Sequence, residues 1–168
     1  MSGEPFPHKV SRRTFTILEI TDAWDWIAEA ENLFVLSREL RTLGHRVVIA
    51  CARGTLAERA RADGFDVRVV PSMHRRKGPL AFLQSAARVR SLVAEIRPDV
   101  VHAYRSPPHL MALWALRSHP AVPLVRTRAT MVPPRATFLN RRIHAATART
   151  LVSAEAVRFL CLEAGFAA

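Results

Sequence analysis

The stretch Arg97-Pro98-Asp99-Val100-Val101-His102-Ala103-Tyr104-Arg105-Ser106-Pro107-Pro108-His109-Leu110 decides the fold. Asp99 to Ala103 carries an apolar run behind a proline, which reads as a short buried strand. A polar loop and a helix start follow. Ser106 is the expected N-cap, and Pro107 takes the first helical position, where a missing N–H costs nothing. His102, Tyr104 and Arg105 then stand at the carboxyl end of a strand. In open α/β sheets ligands bind outside that edge.

Upstream, Thr14 to Ile20 alternates and is rich in β-formers, so it is the first strand. Ile27 to Leu43 is a helix with Leu33, Leu36, Leu40 and Leu43 on one face, closed by Gly44. Arg46 to Cys51 is a buried strand. Thr55-Leu-Ala-Glu58 has the spacing of a capping box and opens a short helix that stops at Gly64. Asp66 to Val70 is the third strand. Pro79 opens a helix to Arg97 with an apolar stripe at Val89, Leu92, Val93 and Ile96.

Downstream, Pro107 to Ser118 is a helix and Pro123 to Arg128 a strand. Residues 129–136 form a proline-containing loop, followed by a helix from Thr137 to about Ala146. Thr150 to Val152 is a sixth strand, and Glu155 to Ala164 a closing helix before Gly165. Six alternations of β and α imply a doubly wound, Rossmann-like, mostly parallel six-stranded sheet with helices on both faces. The expected strand order is 3-2-1-4-5-6. Residues 1–13 read as a leader, and 14–168 as one domain.

The chain has 168 residues, enough for one domain with a sizeable core. No run approaches the roughly 18 to 20 apolar residues needed to span a bilayer. The leader lacks the apolar core of a signal peptide. Cys51 and Cys161 match no metal or redox spacing and lie in apolar runs, which suggests buried thiols in a cytoplasmic chain. The net charge is +11, from 23 Arg and only 2 Lys. Such a field favours anionic partners, and the Arg skew also fits a GC-rich genome. Nucleic acid is disfavoured as partner, since no recognised motif or aromatic–basic interleave is present.

The first strand-to-helix turn is Thr21-Asp-Ala-Trp-Asp-Trp26, with no glycine between Thr14 and Leu43. A dinucleotide site would need G-x-G-x-x-G there. Neither this nor a P-loop is present, and no bound cofactor is expected. Trp24 and Trp26 either stack on sugar rings or anchor the helix entry. Asp22 and Asp25 flank them. Asp25 also suits the N-cap of a helix beginning at Trp26. His102 either accepts a proton from a ligand or is a satisfied histidine inside the sheet. Arg105 and His109 flank a helix start that suits a phosphate or carboxylate. Arg126 and Arg128 share a strand face as an anion clamp, unless neighbouring carboxylates pair with them. The basic loop His74-Arg75-Arg76-Lys77 suits an acidic membrane surface. No catalytic triad, H-E-x-x-H or Cys–His pair is present, and no metal site is expected.

Several segments in order are similar to the amino-terminal half of a GT-B glycosyltransferase of the family-4-like (group 1) type. They are Leu43-Gly-His-Arg-Val-Val-Ile-Ala50, Thr55-Leu-Ala-Glu-Arg59 with Gly64-Phe-Asp-Val67, and Ile96-Arg-Pro-Asp-Val-Val-His-Ala103. Val122-Pro-Leu-Val-Arg-Thr-Arg128 and Val152-Ser-Ala-Glu-Ala-Val-Arg158 complete the set, which covers roughly residues 14 to 166. The resemblance implies two facing Rossmann-like domains, of which this one shapes the acceptor site. A carboxyl-terminal domain bearing Glu-x7-Glu would hold the nucleotide sugar, a co-substrate of the complete enzyme. The implied chemistry is retaining transfer to a glycan or glycolipid acceptor in bacterial cell-surface polysaccharide synthesis, at the inner face of the membrane.

The sequence ends at Glu163-Ala-Gly-Phe-Ala-Ala168 without that signature, so no turnover is expected from it alone. Two positions depart from the family pattern. Asp22-Ala-Trp-Asp-Trp26 replaces its Gly-Gly loop, and His102-Ala-Tyr104 replaces its His-x-His. Rival readings are a stand-alone binding or regulatory module that pairs with a separate donor domain, and one half of a sugar-nucleotide epimerase. An exposed apolar face around 131–139 or the last helix would favour the module.

Overall fold

The computed structural model describes residues 13–71, 73 and 78–166. The loop His74, Arg75, Arg76 and Lys77 lies outside the described residues, as does most of the leader. Strands and helices alternate as β1 Thr16–Ile20, α1 Ala28–Thr42, β2 Arg46–Cys51, α2 Thr55–Ala62, β3 Asp66–Val69 and α3 Gly78–Ile96. Then come β4 Val100–Tyr104, α4 Ser106–Leu116, β5 Leu124–Arg128, α5 Phe138–Ala145, β6 Arg149–Val152 and α6 Glu155–Glu163. The six strands form one sheet in the order β3-β2-β1-β4-β5-β6, and every pairing is parallel. This is the expected topology.

Side-chain alternation divides the sheet into two faces. Leu18, Ile20, Val48, Ala50, Val101 and Ala103 pack with the stripe of α3 and with Met111, Ala112 and Ala115 of α4. The other face sets Val47, Ile49, Cys51 and Tyr104 against Leu33 and Phe34 of α1 and Leu56 and Ala60 of α2. Helices therefore pack on both faces of the sheet, as is usual for parallel strands, although Leu151 of β6 stays 44% exposed on the α1/α2 side. Thr150 of β6 pairs in register with Arg126 and lines a groove with Ile143 of α5 and Cys161 of α6. The last two helices thus lie beside the α3/α4 face. Among the described residues, no helix is long and apolar enough to cross a membrane.

Several local expectations differ from the structure. β4 runs one residue later than expected, and the Asp99 carboxylate accepts from the Thr16 N–H at 2.8 Å instead of beginning the strand. Tyr104 therefore belongs to β4. Arg105, not Ser106, stands at the N-cap of α4, with φ 68. Ser106 is the first helical residue, and its hydroxyl accepts from Arg126 at 3.0 Å. The capping box at Thr55 does not form. Gly54 is the N-cap of α2, and the Thr55 hydroxyl donates to Asp25 at 2.8 Å. Asp25 accepts from the Trp26 N–H but does not cap α1, whose N-cap is Ile27. α1 buries Ala30, Leu33, Phe34 and Ser37, while Leu43, past its end, is exposed. Thr137 does cap α5, accepting from the Asn140 N–H at 3.2 Å.

Candidate functional site

Two connected grooves open at the carboxyl edge of the sheet. The first encloses about 580 Å³ between the start of α1, the β4–α4 turn and the end of β5. The second encloses about 400 Å³ between β5, the 130–135 loop, α5 and α6. Ser106, Arg126, Arg128 and Thr130 line both. Of the residues expected from sequence, Tyr104, Arg105, Arg126 and Arg128 are therefore brought together at one edge.

Arg105 is held firmly. It has φ 68 and ψ 170, a combination almost confined to glycine that costs about 1–3 kcal/mol. Its Nε lies 3.4 Å from the buried Asp22 carboxylate and 3.7 Å from Glu29. Two acids thus neutralise this guanidinium and fix it in the turn. Burial pushes the Glu29 carboxyl above its ordinary value, while Arg105 and a hydrogen bond from Thr21 oppose that shift. Asp22 is consequently a support beneath the groove.

Arg126 and Arg128 stand differently. The Nε atoms of both are buried and have no hydrogen-bond partner among the described residues. Arg126 donates from Nη2 to the Ser106 hydroxyl, and Arg128 donates from Nη2 to the Val132 carbonyl. No described carboxylate forms an ion pair with either. Burial, and then the charge of Arg128, lower the pKa of Arg126. A guanidinium still stays charged at neutral pH.

Beneath the floor runs a polar chain across three strands. Glu19 of β1 is fully buried, and its Oε2 lies 2.9 Å from His102 Nδ1. His102 Nε2 lies 2.8 Å from the Thr127 hydroxyl, and the rings of His102 and Tyr104 stand 4.5 Å apart. His102 is thus a satisfied histidine inside the sheet and does not line either groove. It orders Thr127 and Tyr104, which line the first. Burial, with Glu19 nearby, pushes the Tyr104 phenol well up, so it stays protonated.

The turn after β1 is built for packing. Trp26 meets Phe34 edge-on at 4.7 Å and is covered by Arg59 at 4.4 Å, so its ring is an anchor and not a stacking platform. Asp25 is consumed by Thr55 and the Trp26 N–H, which hold its carboxyl below the ordinary range. Trp24 is 49% exposed but lines neither groove. A Cβ at Gly54 would stand 2.0 Å from the Trp24 carbonyl oxygen, so only glycine lets α2 approach this turn. From this segment, Ile27, Ala28 and Glu29 line the groove instead. His109 is also removed from it. It is buried, 2.8 Å from the Thr147 hydroxyl, and burial lowers its pKa to about 3.

Sequence reasoning missed Glu19, Glu29, Ser106, Thr127 and Thr130. Glu19 was visible as the one acid in the first apolar strand. Thr127 was visible only as the spacer between two arginines. Among the described residues no cluster of His, Cys, Asp or Glu suits a metal ion.

A doubly wound parallel sheet with a cationic groove at its carboxyl edge defines a Rossmann-like α/β domain. The chain belongs to the glycosyl transferase 4-like domain family, whose model matches residues 33–167. No curated protein matches it. A glycosyltransferase from Rickettsia africae superposes with a TM-score of 0.74 at 18% identity, over 89% of this chain and 39% of that one. Anabaena Alr3699/HepE, solved with UDP and glucose, gives 0.67 at 15% identity, over 90% and 42%. A UDP-GlcNAc 2-epimerase from Neisseria meningitidis, bound to UDP-GlcNAc, gives 0.59 at 14% identity, over 90% and 43%. These likenesses show the fold, one half of a GT-B architecture. The chain spans about two fifths of the length of each of these structures.

Proposed function

We propose that this domain forms the acceptor side of a retaining glycosyltransferase that moves a sugar from a nucleotide sugar onto a glycan or glycolipid. Cell-surface polysaccharide synthesis is the proposed setting. The observation that carries this reading is the groove over Tyr104, Arg105, Arg126, Thr127 and Arg128, in a glycosyl transferase 4-like domain. Acceptor hydroxyls would meet Thr127, Ser106 and Thr130, and the nucleotide sugar would come from a second domain facing the groove. Peripheral contact with an acidic membrane is proposed for the basic loop 74–77, and such contact would weaken with salt.

The test uses the full-length protein with a panel of nucleotide sugars and a membrane extract as acceptor source, followed by mass spectrometry. The expected result is a product heavier by one sugar, with release of nucleoside phosphate. Conversion of the nucleotide sugar to an epimer, with nothing transferred, would overturn the proposal.

The stand-alone module has one observation in its favour. Met131, Val132, Phe138 and Leu139 are all more than half exposed beside the second groove. Such a face suits a separate donor subunit. Sequencing the native reading frame past Ala168 separates the two: a donor domain in the same frame supports the enzyme, and a stop supports the paired module.

A further inference from the structure

We propose that Arg126, Arg128 and Ser106 form a phosphate cradle, so that the acceptor taken by this domain carries a phosphate group. The inference rests on the acceptor-side reading and specifies its substrate class. Among the described residues the other arginines without an acid are exposed, whereas the other half-buried ones find acids: Arg68 pairs with Asp66 and Glu95, and Arg105 with Asp22 and Glu29. Arg126 and Arg128 do not. The sequence explains why: residues 100–154 contain eight arginines and no Asp or Glu.

The geometry makes this pair more than a charged surface. Two residues apart on one strand, the side chains leave the backbone about 6.6 Å from one another on the same face. Each keeps a buried Nε–H with no partner among the described residues. A buried donor left unmade is costly, and two adjacent guanidinium charges repel. Both penalties are relieved by one ligand that accepts several hydrogen bonds and carries nearly two negative charges. A phosphate does this, because its oxygens match the guanidinium fork. Sugar hydroxyls supply acceptors but no charge. The Ser106 hydroxyl already accepts from Arg126, so its own proton is free to donate to a phosphate oxygen. All three side chains line both grooves, so the cradle sits where they join.

A soluble sugar phosphate and a lipid-linked phosphate are two sources with this one headgroup chemistry. Titration of inorganic phosphate and pyrophosphate into the full-length protein, followed by calorimetry, is the primary test. Saturable binding is expected, weakened about tenfold or more in Arg126→Gln and in Arg128→Gln. Arg128→Lys should recover part of it, and the exposed Arg117→Gln should change nothing. Unaltered far-UV circular dichroism guards against misfolding, and Arg128→Gln stands alone if Arg126→Gln fails to fold. Competition by a hexose 1-phosphate assigns the soluble source. Competition only by vesicles carrying a polyprenyl phosphate, against plain phosphatidylcholine vesicles, assigns the lipid source. Absence of saturable binding, or binding untouched by both Gln variants, overturns the cradle. Sugar transfer to a phosphate-free acceptor at wild-type rate in both variants also overturns it, while leaving the transferase reading intact. Phosphate binding that the variants lose, in a protein that transfers no sugar, keeps the cradle and removes the transferase reading.

Discussion

Glu19 offers a sharp test of how the groove floor is held. Its side chain is wholly buried in β1, opposite His102 in register, with Oε2 2.9 Å from Nδ1. Glu19 stands within ion-pair distance of Nδ1 while Nε2 shares a hydrogen bond with the Thr127 hydroxyl, so one acid bears on side chains of two further strands. Glu19→Ala strands a buried imidazole N–H and opens space in the sheet. Breaking a buried pair of this kind costs about 3–5 kcal/mol. For a domain of this size each kcal/mol shifts Tm by roughly 2–4 °C, so the loss is about 6–20 °C. Glu19→Gln keeps an oxygen acceptor at the same place and should lose only about 1 kcal/mol. Urea unfolding followed by far-UV circular dichroism measures both. NMR of the chain's single tyrosine, Tyr104, reads whether the ring beside His102 has moved. An Ala variant within about 1 kcal/mol of wild type, or a Gln variant as weak as Ala, would refute a support built on this buried polar pair.

Three further outcomes follow from the packing and the titrating groups. Gly54→Ala drives a methyl into the Trp24 carbonyl, and overpacking against backbone should cost about 3 kcal/mol. Gly64→Ala, with φ 75 and no atom within 4 Å, should cost only about 1–2 kcal/mol, and equal losses in paired urea melts would contradict the steric account. His109 has a folded pKa of about 3 against an ordinary 6.5. The unfolded chain therefore binds the extra proton first, so this group's stabilisation is complete above about pH 6.5 and is lost as pH falls toward 3. Stability of His109→Gln measured over that window should be flatter than that of wild type. Cys51 is buried, with burial pushing its thiol up to about 12, and Cys161 is buried too. Thiol labelling at pH 8 should proceed only at the rate of unfolding, and fast labelling of the native protein would contradict this.

The alternation of strands and helices was legible because the strands carry short apolar or alternating β-rich runs and most helices end near a glycine or proline. The strand order followed from the doubly wound, Rossmann-like pattern, whose usual order is 3-2-1-4-5-6. The arginine pair on β5 was legible because period-two spacing puts residues 126 and 128 on one face. The floor was not. Glu19, His102 and Thr127 meet through strand pairing between segments 83 and 25 residues apart, and no local pattern encodes that contact. The packing of Trp26 and Asp25 stayed open in the sequence for a related reason. Their partners, Phe34, Arg59 and Thr55, come from α1 and α2, and only the folded packing shows the turn is already satisfied. Ser106 and Thr55 matched capping patterns, yet the backbone turned one residue earlier in each case, at Arg105 and Gly54.

The central claim is that acceptor binds in the groove at the carboxyl edge of the sheet. Hydrogen–deuterium exchange of the full-length protein, with and without the acceptor recovered from the transfer assay, tests it most directly. The account predicts added protection in peptides covering residues 104–107 and 126–130. Protection confined to the opposite edge, around residues 44–46 and 97–100, would contradict it.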